Sequence, residues 1–205
     1  MTASTNLDLQ AAVTTDYVAL ADLLDGLPDS GWDTPSLCDG WRVREVVAHL
    51  TMPARYSAEQ FQAELRTSEG DFTRLSNRVA CRDAGLPPAT LVDNARDDML
   101  HRWTPPGGGH IGALTHVVIH ALDITVPLGV PRLSPDETLA AVLDDLTRGG
   151  TYAHFGFDLD GLTLRASDMD WSFGAGAPIA GAAADLALLV CGRNLPPGRI
   201  DGTGP

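Results

Sequence analysis

The chain of 205 residues is 44% hydrophobic and 20% charged, ordinary globular values with room for one core-bearing domain and a smaller second one. Its formal net charge of −13, spread along the chain without a basic patch, argues against nucleic acid and anionic membranes as partners. All fourteen basic residues are arginines, which excludes Schiff-base and lysine general-base chemistry.

Cys38, Cys81 and Cys191 form no Cys-x-x-Cys pair, so neither a disulfide framework nor a thiolate zinc site is expected. The opening MTASTNLDLQ lacks the basic and apolar regions of a signal peptide. No apolar run approaches the roughly 20 residues that span a bilayer, and a cytosolic location is expected.

Residues 6–26 read as a helix, with Leu9, Val13, Leu20, Leu23 and Leu24 near helical spacing and Gly26-Leu27-Pro28 ending it. Turn formers from Pro28 to Gly40 predict a loop. A second helix starts near Arg42 on the stripe Val43, Val46, Val47 and Leu50, and the pattern continues, kinked at Pro53, to about Leu65. Residues 67–88 give no clear pattern. A third helix runs from Thr90 as N-cap to Trp103. After the break at Thr104–Gly109, a fourth runs from about His110 to Leu128, apolar almost all round and so the most buried.

Beyond Gly129 the texture changes. Ser134-Pro135-Asp136-Glu137 predicts a helix start, with Ser134 as N-cap and Pro135 at the first helical position, ending at Gly149-Gly150. Leu162, Leu164 and Ala166 alternate as in a strand, Asp168-Met169-Asp170 is a turn before Trp171-Ser172-Phe173, and a last helix fits Gly181 to Val190. The final GRIDGTGP reads as frayed. The expected fold is mainly α: a four-helix bundle over residues 1–130 and a small α/β region over residues 131–205.

Six histidines carry the chemical signal. His116 and His120, at i and i+4, place two imidazoles one turn apart on one helical face, the geometry by which a helix offers two ligands to one ion. Gly109, Gly112 and Ala113 share that face and leave room; Asp123 shares it too, as a partner for a histidine, a ligand or a substrate contact. His49, on the shoulder of the second helix's apolar stripe, is the candidate third ligand. Three neutral imidazoles would leave a divalent ion with open positions. The same residues also read as core histidines hydrogen-bonded to neighbours, and His101, His110 and His154 have no such pattern. Cys38, just before a helix, reads either as a thiol of lowered pKa or, by preference, as a small buried hydrophobe.

The run Trp32 to Leu50, WDTPSLCDGWRVREVVAHL, resembles the opening motif of the mycothiol-dependent maleylpyruvate isomerase family, within the DinB/YfiT-like superfamily of metal-binding four-helix bundles. That motif ends on the family's first metal ligand, matching His49. Thr115 to Gly129 resembles the second motif, whose two ligands and following Asp match His116, His120 and Asp123. Asp168–Ser172 and Gly181 to Arg193 resemble the small C-terminal domain, and Arg193 matches a tail arginine able to hold a carboxylate or to sit at a helix end. Two departures stand out: His116 replaces a glutamate of the isomerase, and Arg42 replaces the usual Ser or Thr cap, which implies a weaker cap.

The resemblance implies an enzyme in which a divalent metal, most readily Zn2+ with Ni2+ or Fe2+ as alternatives, activates mycothiol or a similar thiol. That thiol would be transferred to a small electrophile, or added and eliminated to isomerise it. Asp123 would orient a ligand or take a proton. Rival readings are a metal-dependent hydrolase, lyase or cyclase of secondary metabolism without thiol, and a non-catalytic ligand-binding bundle. The partners expected are thus a small electrophile and a low-molecular-weight thiol, without nucleic acid or membrane, on a monomer or homodimer.

Overall fold

A computed structural model of the chain describes residues 7–148 and 157–202. Gly149, Gly150, His154 and the last residues of the GRIDGTGP tail lie outside them. The fold is mainly α with a small mixed sheet near the C-terminus. Contacts divide the chain into two compact units, residues 10–133 and residues 134–205 together with 1–9.

In the N-terminal unit, α1 spans Leu9–Asp25 and buries Val13, Tyr17, Leu20 and Leu24 on one side. The expected loop after Pro28 contains one helical turn, α2 (Asp29–Trp32), which buries Trp32. The long second helix resolves into three pieces: α3 (Val43–Leu50), α4 (Met52–Arg55) and α5 (Ala58–Thr67). Pro53 ends the helical ladder instead of kinking it, because it has no N–H to donate and is tolerated only in the first turn of a new helix. Ser57 and Gln60 then cap α5 reciprocally.

The cap of α3 is stronger than Arg42 suggests. Glu45 accepts a bond from the Arg42 backbone N–H at 2.8 Å, and the Arg42 guanidinium closes on the same carboxylate at 2.6 Å. Burial alone would raise the Glu45 pKa, but these bonds and the Arg42 charge outweigh it and hold it below the usual value.

Residues without a readable pattern form α6 (Phe72–Asp83), started by Asp71, which accepts from the Arg74 N–H. Its buried stripe is only Leu75, Ser76, Val79 and Ala80, set among arginines. The expected third helix is two short ones, α7 (Pro88–Ala95) and α8 (Asp98–Arg102). Thr90 lies inside α7 and is not its cap; Pro88 takes the first turn, where its fixed φ suits the helix.

Around α4 and α6 an arginine–acid network forms. Asp83 pairs with Arg55 at 3.0 Å and Arg82 at 2.9 Å and accepts from the Tyr56 hydroxyl at 2.8 Å; Glu64 pairs with Arg82 at 2.9 Å and with Arg78. Arg55 also donates to the Ala48 carbonyl at 2.6 Å. Burial pushes the Asp83 carboxyl upward, but Arg82, Tyr56 and Arg55 more than offset this and hold it low.

The fourth long helix, α9 (Gly109–Leu128), is 20 residues long and ends at Gly129, whose φ of +66° is the left-handed conformation of a C-terminal cap. By length and composition α9 could cross a membrane, which corrects the expectation that no apolar run reaches that length. More than half of it is buried within the protein, as in the core helix of a bundle.

In the C-terminal unit, α10 (Asp136–Thr147) starts one residue later than expected, with Pro135 at the cap position. β1 (Leu162–Ala166) buries Leu164 and Ala166 and pairs with β2 (Ser172–Gly174) across the Asp168–Asp170 turn, in the register Leu164 opposite Phe173. β3 (Ala177–Gly181), unforeseen in the sequence, runs parallel to β1, and β4 (Ile200–Asp201) adds to its far side, giving the order β2-β1-β3-β4. α11 (Ala183–Val190) packs on α10 and on β1 and β3; Gly181, expected to start it, belongs to the strand.

Candidate metal centre

The site is assembled in the N-terminal unit from α3, α9 and the loop before α3. Val43, Val46, Val47 and Leu50 anchor α3 in the core, and His49 is carried in with them, only 7% exposed. On α9 the buried residues Val117, Val118, Ile119, Ala121 and Leu122 fix the helix rotation, which leaves His116 and His120 half-buried on the side toward His49.

The three rings form a nearly equilateral cluster. Their centroids lie 5.1 Å (His49–His116), 4.9 Å (His49–His120) and 5.0 Å (His116–His120) apart, packed edge to face. One nitrogen of each lies within 4.8 Å of the other two, and the Nε2 atoms of His49 and His116 face each other at 3.0 Å. Burial, with a smaller contribution from His120, pushes the His116 pKa down to about 3, so this imidazole is neutral at ordinary pH.

Asp123 stands behind the cluster, fully buried. Its Oδ2 lies 2.9 Å from His120 Nδ1. With Asp123 ionised, and so able only to accept, this contact assigns the proton to Nδ1 and leaves the His120 lone pair on Nε2. The pairing of an imidazole with a carboxylate behind it is the usual way a metal-binding histidine is oriented.

Cys38 is the residue that sequence reasoning undervalued. It is not a small hydrophobe in a packed core: it is half-buried, its thiol donates to the same Asp123 Oδ2 at 3.0 Å, and its sulfur lies 3.7 Å from His120 Nδ1. Its loop is held by Ser36, whose N–H and hydroxyl both donate to the Trp41 carbonyl, and by Gly40 at φ +74°. Two indoles border the histidines, Trp41 with its centroid 5.2 Å from His49 and Trp103 5.4 Å from His116. Trp41 is fixed by a 2.9 Å bond from Nε1 to Asn77.

The small residues on α9 do not all make room. A Cβ on Gly112 would meet the Pro105 ring at 3.1 Å, so this glycine serves helix–loop packing, whereas Gly109 at φ +59° faces open space. Arg193 belongs to the C-terminal unit, where its guanidinium donates to the Cys191 carbonyl at 3.3 Å. His101 sits in the last turn of α8, 3.6 Å from Asp98, and His110 is exposed at the start of α9.

The donor set suits a divalent ion. The Nε2 atoms of His49 and His116 converge at ligand-to-ligand spacing, one nitrogen of His120 lies within 4.8 Å of both rings' ligand atoms, and the Asp123 carboxylate engages His120 Nδ1.

Comparison with known proteins places this architecture. Residues 16–103 match the family model described as the mycothiol maleylpyruvate isomerase N-terminal domain; this stretch carries Cys38, Trp41, His49 and Trp103, while α9 lies beyond it. No curated protein matches the sequence significantly. The crystal structure of the mycothiol-dependent maleylpyruvate isomerase aligns with a TM-score of 0.63 at 16% identity, over 99% of this chain and 96% of that one. A histidine-to-alanine mutant of the same enzyme aligns with a TM-score of 0.62, at the same identity and coverage. Residues 16–103 are thus similar to the mycothiol maleylpyruvate isomerase N-terminal domain, and the chain has the fold of that isomerase.

Proposed function

We propose that this protein is a metal-dependent enzyme that activates a low-molecular-weight thiol of the mycothiol type and adds it to a small electrophile. The product is either a stable S-conjugate or, after bond rotation and elimination of the thiol, an isomer. The observation that carries this reading is the convergence of His49, His116 and His120 around one point, with Asp123 behind His120, in a chain similar to this family's domain.

The three histidines would hold the ion, zinc most readily among nickel, iron and zinc. When bound, it supplies the positive charge that makes a thiol acidic at neutral pH. The rest falls to the chain itself. Burial keeps His116 neutral, so its lone pair is not lost to a proton. Asp123 is fully buried and engaged with His120 and Cys38, which favours orienting a ligand over taking a proton from substrate. The Trp41 and Trp103 rings give the thiol and its acceptor apolar walls that limit water. Arg193 is the proposed holder of a carboxylate.

His116 stands where the isomerase has a glutamate, so the ligand set is neutral and an ion held there keeps its full charge. This favours strong polarisation of thiol and electrophile.

The test is elemental analysis of purified wild type and His116→Ala, followed by the loss of a conjugated keto acid, read by its absorbance, in the presence of mycothiol, glutathione or neither. About one equivalent of metal in the wild type, lost in the variant, with turnover only when mycothiol is present, is the expected result. A wild type that takes up no metal even after incubation with zinc overturns the proposal.

A further inference from the structure

The link between the Cys38 loop and α9 has a cause in the sequence of α9. In a regular helix the carbonyl of Asp123 would accept from the N–H of residue 127. Residue 127 is a proline inside the helix: it has no N–H, and its ring crowds the carbonyl four residues back and tilts it outward. That carbonyl accepts instead from the Leu37 N–H, at 3.1 Å. The next residue along the loop is Cys38, whose thiol reaches the Asp123 side chain at 3.0 Å. One residue of α9 is thus gripped twice by consecutive loop residues, through its main chain and through its carboxylate.

We infer that Pro127, Leu37 and Cys38 form a clamp that positions Asp123, and that Cys38 is a positioning residue for the histidine cluster. The carboxylate must lie in the plane of the His120 ring to hold the Nδ1 proton. It could otherwise rotate, because an aspartate side chain on a helix has alternative rotamers. A thiol donor on Oδ2, delivered by a loop that is itself fixed to the Asp123 main chain, selects the rotamer in which Oδ2 also accepts from His120 at 2.9 Å. Cys38 thereby sets, through Asp123, which nitrogen of His120 keeps its lone pair. The inference rests on the proposed metal reading only for its effect on affinity; the effect on the His120 tautomer stands apart from it.

Two measurements on the full-length protein separate these. The His120 tautomer is read in metal-free protein from long-range proton–nitrogen NMR, and zinc affinity is read by competition with a chelator. The variants are Cys38→Ala, which removes the donor; Cys38→Ser, which keeps one; and Pro127→Ala, which returns an N–H to α9 and competes with Leu37 for the carbonyl. Pro127→Ala favours the helix, so any effect it has on His120 is not a loss of folding.

Wild type and Cys38→Ser should show a single Nδ1–H tautomer. Cys38→Ala and Pro127→Ala should show a mixture, with zinc affinity lowered roughly tenfold, the low end for loss of a group supporting a metal-binding histidine. An unchanged tautomer in both Cys38→Ala and Pro127→Ala overturns the inference. If the wild type binds no zinc while the tautomer still shifts in these variants, the metal reading falls and the clamp stands.

Discussion

Two polar clusters lie in the same N-terminal unit, and they are built on opposite rules. Around Asp83 and Glu64, each acid faces arginines and a hydroxyl adds a further bond, so the charges compensate one another. Around His116, three imidazoles with converging nitrogens meet one carboxylate already engaged by His120 and Cys38, and desolvation holds the His116 ring neutral. In the first cluster the charges are paired with one another within the protein, and it acts as scaffold. The second keeps lone pairs directed at a common point, as a site for a ligand must.

The contrast breaks first at Asp83. Asp83→Ala leaves Arg55 shielded from solvent without its acid and should lower unfolding free energy by about 3 kcal/mol in urea denaturation, with metal stoichiometry unchanged. A loss of metal in this variant would mean that the clusters are not separate. His116→Ala should do the reverse. Zinc affinity should fall at least about a hundredfold, close to 2.7 kcal/mol, while the metal-free protein changes in stability by less than about 1 kcal/mol.

Acid should sharpen the comparison, because the clusters respond in different windows. The folded pKa of His116, about 3, lies below the roughly 6.5 of an unfolded histidine. Between these values the unfolded chain binds more protons, and stability falls as pH falls below about 6.5. For Asp83 and Glu45 the folded pKa is also lowered. Their contribution is complete above the unfolded carboxylate values of about 4 and is lost only as pH falls through the folded ones. Urea midpoints of chelator-treated protein should therefore decline in two stages, and His116→Ala should remove the upper stage alone. The smallest effect belongs to Gly129→Ala: a side chain at φ +66° should cost about 1 kcal/mol and leave both clusters intact.

The sequence made the active face of α9 legible because the chemistry there follows helical periodicity. His116, His120 and Asp123 fall on one side of a helix whose remaining sides are apolar, and His49 rides on an apolar stripe that has to face inward. The scaffold cluster was invisible for the converse reason. Residues of α6 alternate arginines with a stripe of only Leu75, Val79 and Ala80, so the helix depends on tertiary ion pairs that no local pattern announces. Proline was legible as a boundary at Pro28 and Pro135, but not elsewhere. Pro53 and Pro88 both start helices, and Pro127 stays inside one. β3 escaped notice because Ala177-Pro178-Ile179-Ala180-Gly181 lacks the β-branched alternation of a strand and depends on pairing with β1. Cys38 was read as packing because its partner lies 85 residues away, beyond any spacing rule.

The nitrogens of His49 and His116 meet across 67 residues of chain. Bringing them together costs loop-closure entropy that only the packing of α3 against α9 can offset. The trio therefore has no precursor in any partial fold. A fragment limited to residues 16–103 holds one of its three imidazoles, His49. The cluster therefore depends on the docking of α9 on α3 and not on either helix alone.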